Sequence, residues 1–190
     1  MEIKVTELVG WTEVLSAARI TARKMPTGKE PSQRFKESII AAEHSPIRNL
    51  IFKVEMLDIK RKVAMHLVRH NIGAQPFVST SREDRGGLPD SQVTNETLVN
   101  MEMILNAQSL INISKERLCT KASLETRIVW ERVIAEVGKI EPELYEACVR
   151  KCVYRGFCPE SNCCGYCLTS KYDEERISYV DIMTKNQNIE

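Results

Sequence analysis

No run of about 18 consecutive apolar residues occurs in this 190-residue chain, so the sequence offers no helix to span a bilayer. It also lacks an excess of either charge. With 27 Lys and Arg against 26 Asp and Glu, the net charge is +1. That argues against a protein built to grip a nucleic-acid polymer, and against an acidic disordered chain. Internal repeats and low-complexity segments are absent. The start, MEIKVTELVGW, has no apolar core behind a basic opening, so no secretory signal is expected and a cytoplasmic location is. What remains is an ordinary globular composition, 43% hydrophobic and 28% charged. A chain of this length buries about 70% of its unfolded surface, enough for one core without staples. Cysteine is the exception: there are seven, and six of them fall between positions 148 and 167.

Alternating polar and apolar residues predict strands over 2–8 (EIKVTEL) and 47–57 (IRNLIFKVEML), and extended chain over 74–82. Helical spacing predicts helices over 11–24, 32–44 with Ser32 as N-cap, 59–70, 121–140 and 141–149. The longest pattern, 94–118, reads as one continuous helix capped by Thr94 or Thr97. REDRGGLPDSQ (82–92) reads as a loop. Trp11 and Trp130 read as core anchors, and Met101 and Met103 as packing residues. After residue 150 the chain becomes Cys-rich and irregular to 170. It then runs as a polar tail to 190, a loose end or an arm across a partner.

Chemistry concentrates at the ends of two of these patterns. Arg69 and His70 close the pattern at 59–70, with His66 one turn earlier. A Ser/Thr cluster and Arg82 follow about ten residues later. His66 and His70 have the spacing to chelate a metal on one helix face, but no third ligand follows at a suitable distance. Asn106 and Arg117 are eleven residues apart, close to three turns, so on a continuous helix they share a face. An arginine on a buried face is costly unless paired. A bound anion would pair it, and guanidinium suits bidentate recognition of a phosphate. The alternative is an ion pair with Glu116 or Glu125 on an exposed face. The basic stretch Lys53, Lys60, Arg61, Lys62 and Arg69 is open to the same two readings: a solvated face or a surface for a phosphorylated ligand.

Taken together, EHSPIRNLIFKVEM, LVRHNIGAQPFVSTSR and NAQSLINISKERL resemble the flavin-dependent thymidylate synthases, the ThyX family. That family carries Arg-His-Arg, seven residues, then Ser. Here Arg69-His70-Asn71 is followed by seven residues and Ser79, with Arg82 shortly after. Asn106, Ser109, Leu110, Asn112 and Arg117 follow the family's later pattern in order and spacing, and Ala122, Glu125 and Arg127 continue it. The resemblance spans roughly residues 1–150. It implies an α+β, ThyX-like fold, a central sheet with long helices, assembled as a homotetramer whose active sites are shared between chains. It implies FAD at Arg69, His70, Asn71, Asn106 and Asn112, and deoxyuridine monophosphate (dUMP) at His66, Ser79, Arg82 and Arg117. The implied reaction is methylation of dUMP to dTMP. Methylenetetrahydrofolate would supply the carbon, NADPH would reduce the flavin, and Arg117 would stabilise charge on the pyrimidine. A divergent relative that binds a pyrimidine nucleotide for other chemistry, or for binding alone, is the alternative.

The resemblance ends before the cysteine cluster, so residues 151–170 are read separately, as a Cys-rich metal knuckle, and 171–190 as a C-terminal tail. Cys152, Cys158, Cys164 and Cys167 follow the spacing C-x5-C-x5-C-x2-C, and Gly165 gives the CxxC the tight turn of a metal knuckle. In a reducing compartment such a cluster reads as metal-binding before disulfide. Four thiolates with no open position suit structural zinc. An iron–sulfur cluster and free redox thiols are the alternatives, and Cys163 competes with Cys164 for a place. Cys119 and Cys148 read as ordinary buried thiols.

Overall fold

The computed structural model describes residues 1–186. Four strands form one antiparallel sheet in the order β1-β2-β4-β3, with β1 Glu2–Val9, β2 Ile51–Lys60, β3 Ala74–Val78 and β4 Leu98–Asn106. Val5 sits opposite Val54, Val54 opposite Met103, and Met103 opposite Pro76. Pro76 lacks a ladder donor and lies on an edge strand, where that loss is tolerated. One face of the sheet is buried through Phe52, Val54 and Met56 on β2 and Val99, Met101, Met103 and Leu105 on β4.

The helices are α1 Trp11–Thr21, α2 Gln33–Ala41, α3 Arg61–Leu67, α4 Ala107–Arg117, α5 Leu124–Ile140, α6 Pro142–Ala147, α7 Lys151–Arg155 and α8 Ser170–Thr184. Ser32 caps α2, its Oγ accepting from the Phe35 N–H at 3.3 Å. Trp130 on α5 is fully buried, and its Nε1 donates to Ser114 Oγ on α4 at 2.9 Å. Trp11 is buried too, donating to Glu141 Oε2 at 2.7 Å. Among the described residues no helix is long and apolar enough to cross a membrane.

Three expectations need correction. Residues 94–118 are not one helix: Leu98–Asn106 is the central strand β4, and only Ala107–Arg117 is helical. Leu98, Met101 and Leu105 fit helical spacing, but Val99, Met101, Met103 and Leu105 alternate, and pairing on both sides fixes the strand. Residues 45–49 form a 3-10 turn, so the strand expected at 47 starts at Ile51 and continues to Lys60. The polar tail forms α8, which packs against α2, α6 and α7 of its own chain. Residues 187–190 of that tail lie outside the described residues.

Candidate functional site

Helix α3 stops at Leu67, so Arg69 and His70 lie just past it rather than in its last turn. The chain turns there, the His70 N–H donating to the Leu67 carbonyl at 3.0 Å. Residues 70–73 then run along α4, opposite to it in direction. At the C-terminal end of α4, Arg117 Nε donates to His70 Nε2 at 2.7 Å, and a second guanidinium N–H donates to the His66 carbonyl at 2.8 Å. At the N-terminal end, Ser109 Oγ donates to the Ile72 carbonyl at 2.9 Å, and the Asn106 N–H donates to the Gly73 carbonyl at 3.1 Å. Gly73 has φ +68°, and a Cβ there would fall 2.5 Å from Ser109 Oγ and 2.7 Å from Asn106 Nδ2. Both the left-handed backbone and the close approach therefore require glycine.

The histidine–arginine cluster has a defined protonation. Arginine only donates, so His70 Nε2 carries the lone pair and the proton sits on Nδ1. His66 Nδ1 lies 2.8 Å from Thr126 Oγ1, a fully buried hydroxyl on α5. Burial, and then the charge of Arg117, hold both histidines below the usual imidazole range, and Arg69 adds to the effect on His66. Burial also lowers Arg117 itself. The ion-pair alternative for Arg117 does not form. Glu116 pairs with Lys151 at 2.6 Å, and Glu125 pairs with Lys60 and Lys62 at 2.9 and 2.8 Å. Among the described residues neither Arg117 nor Arg69 has an ion-pair partner. Lys60 and Lys62, by contrast, are neutralised by Glu96 and Glu125, and so belong to a solvated, paired face.

A groove of about 260 Å³ opens at the end of the sheet, lined by Arg48, Asn71, Gly73, Gln75 and Asn106 among others. Asn106 is the N-cap of α4: its Oδ1 accepts from the Ser109 N–H at 2.9 Å. Its amide NH₂ is left without a protein partner among the described residues. One arginine and three side-chain amides make a donor set suited to a phosphate-bearing or ring-carbonyl ligand such as a flavin nucleotide.

The fold thus brings His66, His70 and Arg117 together and places Asn71 and Asn106 at the other end of the same chain stretch. It does not bring Ser79, Arg82 or Asn112 there. Ser79 exchanges hydrogen bonds with Asn100, its N–H donating at 2.8 Å and its Oγ accepting at 3.0 Å. Asn100 and Asn106 are six strand residues apart, about 20 Å. Arg82 is exposed and holds Asp84 in a two-point pair at 2.8 and 2.7 Å. Asn112 is exposed on α4 beside Gln108. Because Asn106 is a cap at the helix start, the shared helical face expected for Asn106 and Arg117 does not exist. Sequence reasoning missed Arg48 and Thr126. Nothing in their spacing marks them, since each reaches the site through chain folding.

The cysteine segment begins with α7 and turns at Gly156 and Gly165, with φ +82° and +83°. Cys119, Cys152, Cys158, Cys164 and Cys167 all line one small cavity of about 20 Å³. Cys119 is therefore not the ordinary buried helix thiol expected; it lies just beyond the end of α4, in the cavity wall. Cys148 is fully buried, and burial raises its thiol to about 12. Burial likewise raises Cys152 to about 11, whereas the Thr120 hydroxyl, 2.7 Å from the Cys164 Sγ, lowers Cys164. Cys163 is exposed, its Sγ 3.4 Å from that of Cys167. Among the described residues no three His, Cys, Asp or Glu side chains are already arranged to hold a metal ion.

No family model matches the chain. A 56-residue stretch is 38% identical to the flavin-dependent thymidylate synthase of Clostridium tetani (strain Massachusetts / E88), covering 30% of this chain and 22% of that enzyme. Among solved structures, thymidylate synthase X of Helicobacter pylori with FAD and dUMP superposes with a TM-score of 0.63 at 16% identity, covering 78% of this chain and 99% of the other. A second structure of that enzyme gives 0.62 and 16%, over 79% and 100%. The UMP/dUMP methylase PolB of Streptomyces cacaoi, bound with 5-Br dUMP, gives 0.56 and 14%, over 82% and 96%. The chain therefore has the α+β fold of the flavin-dependent thymidylate synthases. That ThyX-like fold is the one the resemblance of its motifs implied.

Proposed function

We propose that the protein methylates dUMP to dTMP in a flavin-dependent reaction. The observation that carries this reading is Arg117, a half-buried guanidinium fixed by His70 and the His66 carbonyl, with no ion-pair partner among the described residues. A fixed, desolvated cation of this kind suits a pyrimidine on which negative charge develops. When bound, FAD supplies hydride, after reduction by NADPH, and methylenetetrahydrofolate supplies the carbon. The chain's own part is binding and electrostatics. Asn71 and Asn106, with Arg48 beside them, would hold the flavin nucleotide at the sheet end, and Arg69 and His70 would flank it. Arg117 would hold the pyrimidine ring, with His66 beneath it.

Ser79 and Arg82 are assigned to the phosphate of dUMP, and Asn112 to FAD. Ser79, beside Asn100, stands about 20 Å from Asn106 in its own chain, and Arg82 is exposed and paired with Asp84. Their distance supports a site shared between copies, in a homotetramer, where Ser79 and Arg82 of one chain complete the Arg117 cluster of another. Residues 1–150 would carry this chemistry. The Cys-rich segment 151–170 would carry structural zinc on Cys152, Cys158, Cys164 and Cys167, and residues 171–190 would be an appendage to the catalytic unit.

The test is release of tritium from dUMP labelled at C5, with FAD, NADPH and methylenetetrahydrofolate present. Turnover that Arg117→Ala abolishes supports the proposal; no release by the wild type under any of these conditions overturns it. The fold shared with a UMP/dUMP methylase favours one variant reading, other pyrimidine-nucleotide chemistry on the same site. UMP labelled at C5, in the same assay, distinguishes the two.

A further inference from the structure

The cavity at the end of α4 is small and rich in sulfur, and the segment that encloses it is poor in buried residues. Between Val153 and Tyr172 no residue is buried. Eighteen consecutive residues thus have no core of their own, yet they are drawn into two left-handed glycine turns around one cavity. A segment of that kind needs a cross-link or a ligand to hold its shape. Five of the seven cysteines line the cavity, and one of them, Cys119, comes from the body of the fold rather than from the segment.

We propose that this cavity binds a single thiophilic divalent cation, with zinc as the preferred ion. Its ligands are Cys119, Cys152, Cys158 and one thiol of the Cys164–Cys167 pair. The inference rests on the zinc assignment above and changes it: Cys119 becomes a ligand, and the metal ties the segment to α4. Size favours one ion. A cavity of about 20 Å³ has room for little more than one water-sized sphere. Charge favours thiolates. Lys115, Lys121, Arg150 and Lys151 line the cavity; Lys115 pairs with Glu43, Lys151 with Glu116 and Arg150 with Glu175, which leaves Lys121 without an ion pair among the described residues. Four thiolates around a divalent ion carry a net charge of −2, and this basic wall offsets it in part. Binding exchanges the thiol protons for the ion and draws the sulfurs inward to bonding distance.

Protein contacts already frame this junction. Arg150 donates to the Leu118 carbonyl, pairs with Glu175 at 3.3 Å and stacks over Tyr166 at 4.5 Å. The Lys121 ammonium donates to the Asn162 carbonyl. Cys119 lies two residues beyond Arg117, so a metal bond there would also fix the end of the helix that presents Arg117.

The experiment uses the full-length protein, purified under reducing conditions. Metal content is measured by elemental mass spectrometry, and then again after exchange with cobalt(II). The expected result is equimolar zinc, and cobalt-substituted protein with sulfur-to-cobalt charge-transfer absorption and the d–d bands of a tetrahedral site. Cys119→Ser should lose bound metal on dialysis as Cys158→Ser does, while Cys148→Ser, a buried thiol outside the cavity, keeps it. Should Cys119→Ser not fold, thiol alkylation of the wild type gives the same information. Cys119, Cys152 and Cys158 should be protected together and released together by a chelator. Wild type that neither contains nor takes up zinc or cobalt overturns both this inference and the zinc assignment. Full metal retention in Cys119→Ser, or alkylation of Cys119 that ignores the chelator, overturns the role of Cys119 alone. Brown protein containing acid-labile sulfide overturns the single ion.

Discussion

Arg117 and its two histidines form a unit whose protonation is set by burial and by mutual charge. Because His66 and His70 are held below their ordinary range, the unfolded chain binds protons more readily than the folded one as pH falls through about 6.5. These groups therefore contribute stability that is present at neutral pH and lost in mild acid. Replacing His70 with Gln keeps an amide acceptor for Arg117 and should flatten the fall in melting temperature between pH 7 and pH 5. Glu141 works in the opposite sense. Burial outweighs the Trp11 hydrogen bond and raises its carboxyl to about 7, with Glu7 nearby adding to the rise. A raised carboxyl favours the folded state at low pH, and that contribution is lost as pH rises from about 4.5 through 7. Glu141→Gln should be more stable than wild type at pH 8 and lose the advantage by pH 5, measured by thermal denaturation. For turnover, Arg117→Ala should lower kcat/KM by on the order of 100-fold or more, the scale of removing a preorganised charge from a site.

At the level of elements, the site depends on how α4 begins and ends. Asn106→Ala removes the N-cap and should cost about 1 kcal/mol of stability, while also removing the free amide from the groove. Gly73→Ala should cost more, on the order of 2 kcal/mol or more, since it adds backbone strain to a direct clash with Ser109 and Asn106. Urea denaturation of the two variants checks both the values and their order. These elements also explain what could be read from the sequence. The helices at 11–24, 32–44, 121–140 and 141–149 and the strand at 2–8 were legible because one face of each dominates its pattern. Strand β4 was not, because Leu98, Met101 and Leu105 satisfy two periods at once and only its neighbours β2 and β3 choose between them. Arg117 and His70 were legible as candidate residues through their motifs. Their hydrogen bond was not, since it joins residues 47 apart in sequence through a turn that no local pattern announces. The same holds for Cys119, which enters the cysteine cavity only because α4 ends beside it.

At the scale of the whole molecule, the separation of Ser79 and Arg82 from Asn106 predicts that one chain is not a complete site. Mixing inactive Arg117→Ala chains with inactive Arg82→Ala chains should restore partial activity, because some shared sites would then receive both native residues. No recovery from any mixture would place the whole site within one chain. The central claim is that this fold, with Arg117 outside any ion pair among the described residues, serves a flavin and a pyrimidine nucleotide. The most direct measurement is the visible absorption spectrum of the freshly purified protein, with and without added FAD and then with dUMP. The account predicts flavin bands that stay with the protein through gel filtration and shift when dUMP is added. No retained flavin, no binding of added FAD and no response to dUMP would contradict it.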